Sequence, residues 1–200
     1  MAKPSAPSRE RIVAGAADLI SRRGLNATSI RDLAKHAGAP LGSTYHYFPQ
    51  GKGQLATEAV RYAGEAVTGV LRRELDSGPV AGLRAFLALW RGIVVDSGFR
   101  AGCPVLAVSV EEPQADEAPP ALLAAAEAFE DWERLLADSL RGQGVDADRA
   151  EGLAALVVAS VEGATAMCRA KRGAHPLDQV AQQLESLIEA ALAQAARDGV

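Results

Sequence analysis

TSIRDLAKHAGAPLGSTYHYFPQGKGQL, residues 28–55, decides the fold. Ile30, Leu33, Ala34 and Ala37 fall at i, i+3, i+4 and i+7, which is one apolar face of a helix. Thr28 or Ser29 can cap its start, and Ser29 with Asp32 has the spacing of a capping box. Gly38 ends it, because glycine enters the left-handed conformation without a Cβ penalty. Pro40 suits the first position of a second helix, and Pro49 stops that helix after Phe48. Two helices of about two turns joined by a short glycine-containing turn are the helix-turn-helix plan.

The second helix has two unlike faces. Leu41, Thr44 and Phe48 can pin it to a core. The rest carries Gly42, Ser43, Tyr45, His46 and Tyr47. Small residues allow close backbone approach to a partner, and hydroxyls and imidazole can donate to phosphate oxygens. A buried strut has no use for such a face.

The run Thr28, Ile30, Arg31, Leu33, Ala34, Ala37, Gly38, Gly42, Tyr45, Tyr47, Phe48, Lys52 and Leu55 resembles the DNA-binding signature of TetR-type repressors. Residues 39–49 with Gly51-Lys52 are similar to the LmrA-type branch of that family, and Gly102-Cys103-Pro104 matches the branch more weakly. Leu41 departs from the branch, which often has a basic residue there, so base preference does not carry over. The resemblance covers the first third of the chain. It implies that Ser29, Arg31, Ser43, His46, Tyr47 and Lys52 touch phosphates or sugars, and that Pro40, Leu41, Gly42 and Tyr45 face base edges.

Charge agrees with this assignment once it is divided. The net charge is −4, yet residues 1–52 carry eight basic against three acidic side chains and the remainder carries 13 against 22. Phosphate affinity follows the local field, and the positive end holds the helix-turn-helix. Two cysteines, Cys103 and Cys168, suit a reducing cytoplasm better than a disulfide-stapled secreted domain. The N-terminus lacks a signal-peptide core, and the most apolar run, Leu153 to Val161, is too short to span a bilayer.

Along the chain, residues 1–7 read as a mobile arm that includes Lys3. A first helix starts near Ser8 with Ile12, Val13, Ala16, Leu19 and Ile20 as its stripe, and ends at Gly24. Lys52 to about Ser77 keeps helical phase and links the head to the body as the continuous connection in sequence. Helices follow over about 80–96, 104–112, 121–141, 146–172 and 177–197, with the proline-rich stretch Pro113 to Pro120 as a surface loop and Gly173 to Pro176 as a turn. The fold class is therefore all-α: a three-helix helix-turn-helix head, residues 1–51, and a helical body, residues 52–200, which the resemblance implies is a ligand-binding and dimerisation domain.

The segment LAALVVASVEGATAMC, residues 153–168, is apolar almost all round and must be buried on more than one side. Its small residues Gly163, Ala164 and Ala166 permit close helix contact. It is either central in one protomer or paired with its copy; the resemblance to TetR-type proteins implies a homodimer through the last two helices.

No metal-ligand spacing, phosphate loop or cofactor motif stands out, and no catalytic residue is assigned. His175 and the run Glu111-Glu112 with Asp116-Glu117 read as solvated. Cys103 at a helix start is open to two readings, a thiol nucleophile or redox switch, or a small residue lining a cavity. Phe86, Trp90, Phe99, Phe129, Trp132 and Met167 come from separate segments of the body, where such groups can wall a cavity. The resemblance implies a small-molecule pocket there, with those residues and Cys103 as lining. Mostly apolar walls favour an apolar or aromatic ligand. The resulting expectation is a cytoplasmic repressor, bound as a dimer to a near-palindromic double-stranded operator and released by that ligand, with no membrane partner. The rivals are a constitutive DNA-binding protein and a small all-α enzyme or thiol switch built on Cys103.

Overall fold

The structure, a computed structural model, describes residues 9–112 and 119–198. The arm at 1–7, Ser8, and most of the 113–120 loop with Asp116 and Glu117 lie outside these residues. The described chain is all helix: α1 (Arg9–Arg23), α2 (Ile30–His36), α3 (Leu41–Tyr47), α4 (Lys52–Leu75), α5 (Pro79–Asp96), α6 (Pro104–Ser109), α7 (Pro120–Gly142), α8 (Ala147–Lys171) and α9 (His175–Asp198).

The chain divides into two compact units, residues 1–64 with 104–127 and residues 65–103 with 128–200. This differs from a division at 51/52. The reason is that α1 packs against α6 as well as against α2 and α3, so α6 joins the head in space although it is remote in sequence. The backbone passes between the units within α4, between Cys103 and Pro104, and within α7. Thus α4 is not the sole covalent link that reading in chain order makes it.

In the first unit, Ile12, Ala16, Ile20, Leu33, Thr44, Phe48, Leu55 and Ala59 form a closed core. Gly15 lets α1 approach α2, since a Cβ there would sit 2.7 Å from the Cβ of Ala37. Asp18 of α1 ties the helices further, accepting from Arg22 at 2.9 Å and pairing with His36 Nε2 of α2 at 2.6 Å. Burial raises the Asp18 carboxyl, but the hydrogen bonds and charges of Arg22 and His36 outweigh it and hold it below the ordinary value.

In the second unit α5, α8 and α9 pack on one another. Val157, Val158, Val161, Ala164 and Cys168 of α8 face inward with Leu184, Ile188 and Ala191 of α9. Among the described residues, α8 is the one helix long and apolar enough, by length and composition, to cross a membrane. Its packing against two neighbours is that of a core helix. α9 begins at His175, earlier than the sequence suggests, because Pro176 is tolerated in a first turn whose N–H groups need no intrahelical partner.

Candidate nucleic-acid interface

The helix-turn-helix is assembled by local chemistry. Ser29 is the N-cap of α2: its hydroxyl accepts from Asp32 N at 3.2 Å, and its own N–H donates to the Asp32 carboxylate at 2.9 Å. The Ser29 hydroxyl donates to the same carboxylate at 2.5 Å, and this bond, with that from the Ser29 N–H, holds the Asp32 carboxyl below its usual value. Ala37 closes α2, and Gly38 follows at φ +63°, where a side chain would be strained. Pro40 is the N-cap of α3 in extended conformation, one position before the first helical residue. Thr44 is fully buried and donates to Pro40 O at 3.1 Å, and Phe48 is fully buried after the last turn. Arg9 of α1 lies over the Phe48 ring, 5.4 Å from its centroid.

These anchors leave one face of α3 open. Tyr45 is 48% exposed. Pro40, Gly42 and His46 are exposed, and Leu41, Ser43 and Tyr47 are half-buried. A Cβ at Gly42 would meet nothing within 4 Å, so packing within the protomer does not require a glycine here. The His46 and Tyr47 rings meet edge to face at 5.5 Å, which orders both without burying them. No acidic residue occupies the first turn of α3 or of α4, and no side chain caps α3. Lys52 is the first residue of α4, where the helix dipole disfavours a cation. Arg31 is exposed on α2. Ser29 differs from the rest: its hydroxyl hydrogen and its N–H are already committed to Asp32.

The α1–α2 loop has a support that periodicity did not reveal. Glu111, just after α6, accepts from Leu25 N at 2.6 Å and Asn26 N at 2.7 Å, and Asn26 Nδ2 donates to Glu112 O at 3.3 Å. A charge pair that reads as solvated is in fact a clamp on the head. Beside it is a half-open cleft of about 230 Å³, walled by Leu25, Lys52, Val108, Glu111 and Leu122 among others.

In the second unit the aromatic side chains of α5 and α7 converge. Trp132 has Phe129 at 5.4 Å, Phe86 at 5.9 Å and Trp90 at 6.3 Å between ring centroids. Phe86, Trp90, Trp132 and Cys103 are buried. Phe99 stands apart at the end of the α5 loop at φ +60°, half-buried, and Met167 is 47% exposed on α8. A residue outside the expected set lies beside Cys103: Glu162, 3% exposed, in the middle of α8. An acid inside the apolar run of residues 153–168 is the signal that could have found it.

A three-helix head with this exposed second helix defines the helix-turn-helix class of DNA-binding regulators. Residues 12–59 match the bacterial regulatory proteins of the tetR family, and residues 79–183 match the transcriptional regulator LmrA/YxaF-like C-terminal domain. The chain belongs to the TetR family of transcriptional regulators, in its LmrA/YxaF-like branch. An uncharacterized HTH-type transcriptional regulator of Mycobacterium tuberculosis is 42% identical over 192 residues, covering 94% of this chain and 98% of its own. The regulatory protein TetR from Rhodobacter sphaeroides shares the fold with a TM-score of 0.79 at 22% identity, over 90% of this chain and 98% of that one. The TetR family regulator CifR, solved with 26 base pairs of operator DNA, has a TM-score of 0.67 at 21% identity over 96% and 98% of the two chains.

Proposed function

We infer that this DNA-binding regulator is a cytoplasmic homodimeric repressor whose grip on its operator is loosened by a small molecule held in the body. The carrying observation is the α3 face: Thr44 and Phe48 are fully buried while Tyr45, Gly42 and Pro40 stand free. Two such faces, set one DNA turn or about 34–36 Å apart, would read a near-palindromic operator in successive major grooves. Arg31, Ser43, His46, Tyr47 and Lys52 then supply donors to phosphates, and Pro40, Leu41, Gly42 and Tyr45 meet base edges, with Leu41 suited to a thymine methyl. Ser29 is assigned to that backbone track by family match, but donation from it would cost its cap. The operator-bound relative supports this mode of binding. In this reading residues 1–51 carry DNA and residues 52–200 carry the dimer and the effector.

Exposed apolar groups on the last two helices support the dimer. Leu156 and Met167 of α8 are 44% and 47% exposed, and Leu187 of α9 is 44% exposed. Gly163 and Ala166 lie open beside them. Ala164, which reads from sequence as part of that face, is instead 2% exposed inside the protomer, because it points toward the α8 core side with Val161 and Cys168. The paired face is therefore the one through Gly163 and Met167.

The test is an operator-shift assay in the presence and absence of compounds that raise the melting temperature. Release of DNA by a stabilising compound is expected. Tight compound binding with no release would refute the effector role and leave a constitutive DNA-binding protein.

A further inference from the structure

The charged side chains where α5 meets α9 are paired at the surface. Arg84 reaches Glu185 at 2.9 Å, and Arg91 reaches Asp178 at 2.8 Å. Glu162 breaks this pattern. It lies mid-helix on α8, 3% exposed, and neither carboxylate oxygen has a hydrogen-bond partner among the described residues. The Cys103 thiol is close enough to favour its ionised form, without giving either oxygen a well-formed bond. No charged group of α5, α8 or α9 acts on it: burial dominates and pushes the carboxyl up to about 8. On α5, which packs against α8, Trp90 Nε1 is likewise buried without an acceptor.

A structural residue at this place would be Leu or Met, which carry no desolvation cost, or Gln, whose amide needs less. Buried polar groups in native proteins are nearly always paired, so an orphaned carboxyl asks for the partner that completes it. The thiol beside it is held in place by local geometry. A Cβ at Gly102 would lie 2.9 Å from Arg169 Cδ, so the glycine lets the loop before Cys103 run against α8. Gly102 and Cys103 thus set the wall next to the carboxyl.

We propose that Glu162 is the anchor of the effector site and that the effector is an organic cation, an amine on an aromatic or alkyl frame whose N–H donates to the Glu162 carboxylate. This rests on the reading that the body binds a small molecule, and it replaces a neutral ligand with an amine. The apolar frame suits the Phe86, Trp90, Phe129 and Trp132 cluster of the same unit. Binding balances charge: Glu162 holds a proton at neutral pH, the ammonium requires the carboxylate, and the proton leaves to solvent as the ion pair forms. The neutral site plus a cation becomes an ion pair plus one released proton.

The test uses the full-length protein with 4-phenylbutylamine and its neutral isostere 4-phenylbutanol, by titration calorimetry in two buffers of different ionisation enthalpy. The amine should bind at least about tenfold tighter than the alcohol and release about one proton per site near neutral pH, and its affinity should rise by about tenfold for each pH unit as pH climbs toward the carboxyl's own value. Glu162→Gln should abolish both the preference and the proton release and retain the alcohol. Glu162→Asp should weaken the amine while keeping proton release, which separates anchoring from packing. Equal binding of both compounds, binding of the amine without proton release, or an amine affinity unmoved by Glu162→Gln would overturn the proposal. Operator-shift assays separate it from the reading beneath it. An amine that binds through Glu162 yet leaves the operator bound refutes the effector role and leaves the anchor standing. Release by the alcohol and not by the amine does the reverse.

Discussion

Thr44 and Tyr45 are neighbours with opposite tasks. About 100° of helix rotation separates their directions, so Thr44 closes the core with no exposure and Tyr45 is 48% exposed. The consequences of substitution differ accordingly. Leu41→Lys, on the half-buried shoulder of α3, should exchange a methyl-fitting contact for a phosphate- or guanine-seeking one. Operator preference measured across a randomised site should shift, with the melting temperature little changed. Lys52→Ala should weaken binding to all sequences alike and lower the salt slope of log K by about 1. An unchanged slope would take Lys52 off the phosphate track. Glu162 gives a residue-level signature of its own. Its folded value is about 8 against an ordinary 4.5, so the folded state holds a proton that the unfolded state has lost between these values. Stability from this group is full below the ordinary value and drains away as pH rises toward 8. Glu162→Gln should flatten the fall in melting temperature across that window, and a wild-type curve already flat there would contradict the buried acid.

At the scale of elements, α6 is six residues long and carries more than its length suggests. It packs on α1, and the carboxylate that follows it holds the backbone of the α1–α2 loop through two short hydrogen bonds. Glu111→Ala removes a carboxylate acceptor from both N–H groups, so it should cost on the order of 1–3 kcal/mol. The drop in melting temperature should come with weaker operator binding, because the loop sets the entry to α2. Gly24 is the counterpart. Its φ is +78°, and a Cβ there would meet Glu111 Oε1 at 2.1 Å. Gly24→Ala should therefore mimic loss of the clamp, and the two changes together should cost less than their sum. Full additivity in that cycle would show the two positions to be independent.

At the scale of the whole molecule the proposed working unit is a dimer of this protomer. α8 buries Val157, Val161, Ala164 and Cys168 inside the protomer and leaves Leu156, Gly163 and Met167 open. A Cβ at Gly163 would meet nothing within 4 Å, so Gly163→Glu should leave the melting profile of the head intact. Across a two-fold axis it would oppose its own copy, and sedimentation should then show monomers that fail to hold an operator. A dimeric Gly163→Glu protein with full affinity would place the interface elsewhere. The proposed coupling from body to head would have three covalent routes, through α4, through the Cys103–Pro104 junction and through α7. A hundredfold preference of an effector for the released arrangement corresponds to about 2.7 kcal/mol per site. Trp90→Ala, which removes a ring shared by Phe86 and Trp132, should blunt release by a stabilising compound while leaving DNA affinity in its absence unchanged.

What the sequence by itself determined is what depends on near neighbours. The cap of Ser29 on Asp32, the left-handed Gly38, the stop at Phe48-Pro49 and the apolar periods of α1, α4, α5, α7 and α9 are interactions within a few residues, so their spacing is visible in the chain. The same locality made the helix-turn-helix, and with it the family, legible from residues 28–55. Only the tertiary structure decided which long-range pairs meet. Glu111 reads as solvated until α6 docks on α1, about which its own segment carries no signal. Ala164 and Gly163 are adjacent small residues, and a turn of 100° per residue with a wide apolar circumference leaves their faces undetermined until α5 and α9 cover one side. Phe99 and Met167 share the chemistry of the buried rings but not their place, because hydrophobicity draws residues inward without naming a partner. Glu162 shows the limit most plainly. Its identity is in the sequence, but its meaning lies in the absence of a partner around it, which is a property of the fold.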